Sequence, residues 1–438
     1  MCSVQIDCAL TEHFRPRATD GAGTRSTRRS GGHALLVASP KLFDDVPRTD
    51  GAPSGYRESH FAFLNRADSV FWGRVRDQLD AWYRAFPDAD GDLRRRFRSD
   101  EPGQHYAAWW ELYLHAVFRR LGFAVATHPD SGTTGGRPDF KLTRSGTAFL
   151  MEAATVFSGI VEDGRHGARE AEVLDALESV ADPDFSLSVA FERVGASSPP
   201  KARFVRDVRE WLKTLDPDVV RRESEAGADP PARSFAPAID WEVHLRAFAL
   251  SPEARGAPDH RMIGIGPASV GMVNDREKLA AKLRGKSRRY GRPGIPLVIA
   301  VLSLSSFADD DDVEEALFGS RAIQVSVTDP LTTTPVRQPD GLWQGSGGPS
   351  ARHVSAVLHG SNILPQTCVG QLPRLWHHPW AAHPLTLDLP FAASRVEADR
   401  LVAHDARSDA ATVLGLPAAW PGPEDPFPRH AGDGRSAG

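Results

Sequence analysis

The sequence predicts an α/β fold: a mixed central sheet flanked by helices and enlarged by an α+β insertion. Three observations carry that expectation. Between residues 104 and 157, one helical periodicity is followed by three strand-like runs separated by turn residues. A second helical run, Asp275 to Tyr290, leads through Pro296 into the apolar strand Leu297 to Leu304, LVIAVLSL. Between the two lies a block of helical and alternating segments, at about 160–275, that reads as an insertion.

The elements follow in order. The first 55 residues are rich in Thr, Arg, Gly, Pro and Asp with little periodicity, and are expected to be disordered apart from a short strand at Ala34 to Val37. Residues 56–100 make a helical lead-in, with Phe71, Val75, Leu79 and Trp82 at helix spacing inside one helix from Phe61 to Phe86. Pro87 and the turn around Asp90 to Asp92 end it. The main domain is expected over 101–400. From Ala107 to Leu121 the apolar positions Trp110, Leu114, Val117, Phe118 and Leu121 recur at steps of three and four, and Gly122 caps the helix. Phe123 to Thr127 is a short strand, Pro138 opens a second over Asp139 to Leu142, Ser145-Gly146 turns the chain, and Ala148 to Val156 is the third.

Within the insertion, Ala168 to Val180 and Lys201 to Leu215 read as helices. Phe185 to Phe191 and Trp241 to Leu250 read as strands, and Arg221 to Pro231 as a polar, turn-rich connection. Past Leu304, the acidic run Asp309 to Glu315 suits a helix start, where carboxylates meet the positive end of the helix dipole. Val354 to Leu358 is the last expected strand. His377, His378 and His383 fit no tetrahedral zinc spacing and are assigned to packing. Residues 401–438 are expected to form a flexible tail.

Composition narrows the function. A chain of 438 residues, 41% hydrophobic and 25% charged, is expected to be a soluble globular protein able to bury a large core. It shows neither a run of about 18 apolar residues nor the charged-then-apolar order of a signal peptide, so the cytoplasm is the expected compartment. Cys2, Cys8 and Cys368 have no zinc or disulfide spacing. The net charge of −5 carries no overall basic footprint, but two basic runs stand out: Arg94, Arg95, Arg96 and Arg98, and Arg276 to Arg292. Each is either a solvated helix face or a contact for nucleic acid. The GxxxxGK[ST], GxSxG and HExxH patterns are absent.

Three carboxylates punctuate the 104–157 unit: Glu111 on the helix, Asp139 at the start of the second strand and Glu152 within the third. An acid inside an apolar strand is costly to bury unless something compensates it, and a divalent cation is a usual compensation. A short hairpin brings Asp139 and Glu152 together, and hard oxygen ligands of this kind suit Mg²⁺. The alternative is a surface hairpin carrying two solvated acids.

In this order, a helix Glu111, then Pro138-Asp139, then Glu152-Ala153-Ala154, the chain resembles the PD-(D/E)xK nuclease superfamily, the restriction-endonuclease-like fold. The resemblance covers the helix and hairpin and, more weakly, the helix and strand of 275–304. It implies Asp139, Glu152 and Glu111 as metal ligands, Mg²⁺ or alternatively Mn²⁺ as cofactor, and nucleic acid as partner, DNA ahead of RNA. The departure is Ala154, which stands where the family has the lysine that orients and activates the attacking water.

Lysine is scarce here: only seven of the 52 basic residues are lysine, and three of those, Lys278, Lys282 and Lys286, lie four apart along one helix ridge beside Leu279 and Leu283. A lysine at such a border can bury its stem and extend its ammonium over the strand ends. Lys282 and Lys286 are therefore the expected replacements for the missing cation, with Lys141 as the rival; three solubility lysines are the alternative reading. Two functions remain open, a metal-dependent nuclease using Glu111, Asp139, Glu152, Lys282 and Lys286, and a catalytically silent relative serving as a nucleic-acid-binding or protein-interaction module.

Overall fold

Two serines, ten residues apart, start the ordered helical layer. The computed structural model describes residues 41–130, 136–157, 166–257, 260–265, 275–305, 309–325 and 333–427. Ser59 Oγ accepts from the Ala62 amide to cap α1 (His60–Arg66), and Ser69 Oγ accepts from the Trp72 amide to cap α2 (Val70–Ala85). The single helix expected over Phe61 to Phe86 is therefore two, because the second cap interrupts the ladder. Buried Arg76 closes the break by donating from Nη1 to the carbonyls of Leu64 and Ala67 at 2.9 and 2.7 Å. A short α3 (Asp92–Phe97) leads to α4 (Pro102–Arg120), begun by a proline that lacks the amide a first turn would leave unpaired.

The strands β1 (Ala124–Thr127), β2 (Phe140–Arg144) and β3 (Thr147–Phe157) form an antiparallel meander. Ser145 and Gly146, at φ 51° and 80°, make the tight turn whose twist matches the flanking strands. The chain then runs through α5 (His166–Glu178), β4 (Phe185–Arg193), α6 (Lys201–Leu212), α7 (Pro217–Glu225), β5 (Ala232–Phe235), β6 (Glu242–Ala249) and β7 (Ile263–Ile265). These strands form a separate four-stranded sheet ordered β5-β6-β4-β7, with its own apolar core around fully buried Trp241. Gly195 is needed there, since a Cβ would stand 2.3 Å from the Trp241 ring.

The chain returns through α8 (Asp275–Ser287) to β8 (Leu297–Leu304), which pairs parallel to β3. After α9 (Asp310–Phe318) come the ribbon β9 (Arg321–Val325) with β10 (Thr333–Arg337) and the small pair β11 (Gln344–Gly345) with β12 (Gly348–Pro349). Then β13 (Ala356–Ser361) pairs parallel to β8, followed by β14 (Arg374–His377), β15 (Ala393–Glu397), β16 (Arg400–His404) and α10 (Ala410–Leu414). The central sheet is mixed, ordered β1-β2-β3-β8-β13-β14-β15-β16.

Helices cover both faces of this sheet, which explains why β3 and β8 read as near-continuous apolar runs. Phe149, Met151 and Ala153 face the core built with α2, α4 and α10, while Leu150, Ala154 and Val156 face the core built with α8 and α9. On the first side, the indole nitrogens of Trp109 and Trp110 donate to the carbonyls of Ile363 and Ala300 at 2.9 and 3.0 Å, anchoring α4 across the sheet. Each large side chain buried here is worth about 3–5 kcal/mol against truncation to alanine.

Several expectations need correction. Segment 221–231 is not simply a turn, because Asp216 caps α7 through 217–225. The strand at 354–358 is not the last, since β14 to β16 extend the sheet. Residues 401–427 are not a loose tail: β16 pairs with β15, Leu414 is fully buried, Trp420 and Phe427 pack on the core, and Arg74 is paired with Glu424. At the other end, Leu42 and Phe43 are buried although they fall in the stretch expected to be disordered. The strand expected at Ala34 to Val37 lies outside the described residues. Among the described residues no helix is long and apolar enough to cross a membrane.

Candidate functional site

Asp139 immediately precedes β2, directly after Pro138, and its carbonyl accepts from the His128 amide at 2.9 Å, extending the β1–β2 ladder by one step. In the β2–β3 register Phe140 faces Met151, so Asp139 continues the pairing opposite Glu152. Its Oδ2 accepts from the Ala153 amide at 2.7 Å, which holds the carboxylate beside the strand that carries Glu152. Glu152 is 1% exposed and shares the α8 side of β3 with Leu150 and Ala154.

A buried carboxylate of this kind needs partners, because desolvating an ion costs several kcal/mol. Both oxygens of Glu152 have them. Lys286, from the last turn of α8, donates from Nζ to Oε1 at 2.5 Å, and the Arg289 guanidinium lies 3.7 Å from the same oxygen. The Tyr290 hydroxyl donates to Oε2. Tyr290 is itself buried, and burial followed by its bond to Glu152 pushes its phenol well above the usual range.

Asp139 is less well compensated. Burial first, then the charges of Glu152 and Glu111, push its carboxyl well above the usual carboxylate range; the Ala153 amide and the Lys286 charge oppose this without cancelling it. Lys282, one turn before Lys286, is pushed down by desolvation and then by the charges of Lys286 and Arg289. Carboxylates and cations are thus concentrated at one place on the sheet.

The predicted residues are not all assembled alike. Asp139, Glu152 and Lys286 come together, and Lys282 lies alongside. Glu111 does not join as a free ligand: Arg96 donates to its two oxygens at 2.8 and 2.7 Å, so what it adds at Asp139 is its charge. Among the described residues no group of three or more His, Cys, Asp or Glu side chains is assembled to hold a metal ion, so Glu111, Asp139 and Glu152 do not form the expected three-ligand set. Lys141 is exposed on β2 opposite Leu150. Ala154 is buried in the core under α8.

The two basic runs have different fates. The first is absorbed by structure: Arg94 and Arg98 donate to the carbonyls of Lys41 and Leu42, each at 2.7 Å, Arg95 pairs with Asp92, and Arg96 holds Glu111. It ties the 41–44 segment to the core. In the second, Arg276 and Arg284 bind Asp340, whereas Lys286 and Arg289 turn to Glu152.

Sequence reasoning missed Tyr290, Arg289 and Arg96. Tyr290 was legible only as the end of the α8 periodicity, and the arginines only as members of charge runs. The acidic run at 309–315 serves α9, with the Asp309 and Asp312 side chains forming a reciprocal cap. His378 packs, its Nδ1 accepting from the Trp380 amide and its Nε2 lying 2.9 Å from the Ser350 carbonyl.

No protein-family model, curated protein or solved structure matches this chain.

Proposed function

We propose that this protein is a metal-dependent nuclease of the restriction-endonuclease-like class that hydrolyses phosphodiester bonds in nucleic acid, DNA ahead of RNA. The observation that carries the reading is the Lys286 ammonium, 2.5 Å from Glu152 beside Asp139, when the strand itself offers only Ala154. Element order supports it: α4, the β1–β2–β3 meander, then α8 and a β8 strand parallel to β3.

The donor set fits a hard divalent cation. Two neighbouring carboxylates, one of them driven toward its protonated form by burial and by its neighbours' charge, would be relieved by a bound cation. Mg²⁺ is commonly held by one or two carboxylates with the remaining positions left to water and phosphate oxygens, so the Asp139–Glu152 pair suffices; Mn²⁺ takes the same oxygen donors. Such an ion supplies Lewis-acid activation of a phosphodiester and a water nucleophile at neutral pH.

The protein's own groups do the rest. Asp139, fixed by the Ala153 amide at the entry to β2, and Glu152 on β3, fixed by Lys286 and Tyr290, present oxygens from neighbouring backbone. Lys286 and Lys282 offer positive charge to a scissile phosphate, stabilising the charge that develops on its oxygens. Lys282 is pushed down by desolvation and its cationic neighbours, and an incoming phosphate would relieve the repulsion among these cations.

The engagement of both Glu152 oxygens, and of Glu111 by Arg96, favours a second reading, a silent nuclease-like module that binds nucleic acid or protein. Cleavage assays on plasmid and single-stranded DNA and RNA, with Mg²⁺ and Mn²⁺ titrations, separate the two. The nuclease reading expects metal-dependent cleavage lost in Asp139→Ala and Glu152→Gln. Absence of cleavage by well-folded wild type on every substrate favours the silent module.

A further inference from the structure

Tyr290 sits where the two halves of the carboxylate pair meet. Its hydroxyl donates to Glu152 Oε2 and lies 3.5 Å from the carbonyl of Arg137, two residues before Asp139. Its ring borders Gly136: a Cβ built there would lie 3.7 Å from Tyr290 Cε1, and Gly136 has φ 127°, a conformation suited to glycine. The same ring is buried in the α8 core with Leu279, Leu283 and Leu297. One rigid aromatic side chain therefore touches the segment leading into Asp139, the carboxylate of Glu152 and the packed base of α8.

We infer that Tyr290 is a positioning residue for the divalent-cation site, holding Glu152 Oε2 and the 136–137 segment so that Glu152 and Asp139 keep their relative placement. The inference rests on the metal-site reading above. The division of labour on Glu152 is specific: Lys286 and Arg289 address Oε1, Tyr290 addresses Oε2, and each carboxylate oxygen retains a second lone pair for a cation. A hydroxyl that locks a ligating carboxylate acts through ligand orientation, and loss of such a partner weakens metal binding by about 10–100-fold.

Tyr290→Phe keeps the ring and its packing while removing the donor. Mn²⁺ alone is titrated calorimetrically into wild type, Tyr290→Phe and Glu152→Gln, with thermal melts of each apo protein. Loss of binding in Glu152→Gln, with binding weakened about tenfold or more in a cooperatively melting Tyr290→Phe, is the expected result. Tyr290→Phe binding Mn²⁺ as tightly as wild type overturns the positioning role and leaves the metal site standing. Wild type that binds no Mn²⁺, or Glu152→Gln that binds like wild type, overturns the metal-site reading itself, and this inference with it.

A second readout does not depend on the variant's stability. With five tyrosines in the chain, 3-fluorotyrosine labelling gives a simple ¹⁹F spectrum. Substoichiometric Mn²⁺ should broaden the Tyr290 resonance ahead of the other four; uniform broadening would count against Tyr290 as neighbour of the site.

Discussion

Arg96 grips both carboxylate oxygens of Glu111, at 2.8 and 2.7 Å, and Asp92 in turn holds the Arg96 Nε at 2.7 Å. The Glu111 side chain is only 9% exposed, so this pair is nearly desolvated. Removing one member strands a buried charge, which typically costs about 3–5 kcal/mol, whereas removing both can be close to neutral. Arg96→Met should therefore destabilise strongly in urea unfolding, and Arg96→Met with Glu111→Gln should recover most of the loss. Equal destabilisation of the single and double variants would contradict this account.

Lys286 and Glu152 make the corresponding pair across the sheet. Lys286→Met should lower stability by a few kcal/mol, because it leaves buried Glu152 with only the Tyr290 hydroxyl and the more distant Arg289. Under the nuclease reading it should also lower cleavage by about 10²–10³-fold, the range seen when one stabiliser of developing charge is lost. Adding Ala154→Lys to Lys286→Met returns an ammonium to the same face of β3, two residues from Glu152, and should recover part of both losses. A double variant no better than Lys286→Met in melting and cleavage would show that the two positions are not equivalent.

Asp139 should trade stability for function. Its carboxyl is raised above the usual value by burial and neighbouring charge, so its ionisation opposes folding increasingly as the pH rises through the raised value. In metal-free buffer at neutral pH, Asp139→Asn keeps an acceptor for the Ala153 amide without the charge, and its melting temperature should exceed that of wild type. The gain should shrink toward pH 4, where the wild-type carboxyl is protonated. A lower melting temperature at neutral pH would refute the argument. Cleavage should be lost in the same variant.

Buried histidines set the acid limit. His105 Nδ1 donates to the Phe97 carbonyl at 2.5 Å, and its Nε2 shares one proton with His60 Nδ1 across 2.8 Å, a contact that two protonated rings could not make. Burial pushes His105 down to about 4 and His60 well below its usual value; His359 and His378 are also pushed to about 4. Depressed values mean that the unfolded chain binds these protons first. The associated stability is present above pH 6.5 and is lost progressively as the pH falls toward 4. Urea unfolding at intervals across this window should show the decline, and His105→Gln should flatten part of it.

Much of the central architecture was legible in the residues alone. The 297–304 strand, the 145–146 turn and the meander of 124–157 follow from local periodicity and turn chemistry, which act over a few neighbouring residues. So do the placement of two acids in costly strand positions and the clustering of three of the chain's seven lysines on α8. The edges of that legibility were also local: a serine cap split one helix, and β14 to β16 went unseen because short strands such as 374–377 carry little pattern of their own.

Tertiary structure decided which charges meet. Glu152 is bonded to a lysine 134 positions away and a tyrosine 138 positions away, and Glu111 to an arginine that looked like one of four in a solvated run. Nothing in a window of sequence distinguishes Lys286 from Lys282, or Arg96 from Arg95. The difference arises from the angle at which a helix crosses a sheet and from which side of the helix faces a buried carboxylate. The free energy of an ion depends on where it is desolvated, and that depends on the packing of the whole chain.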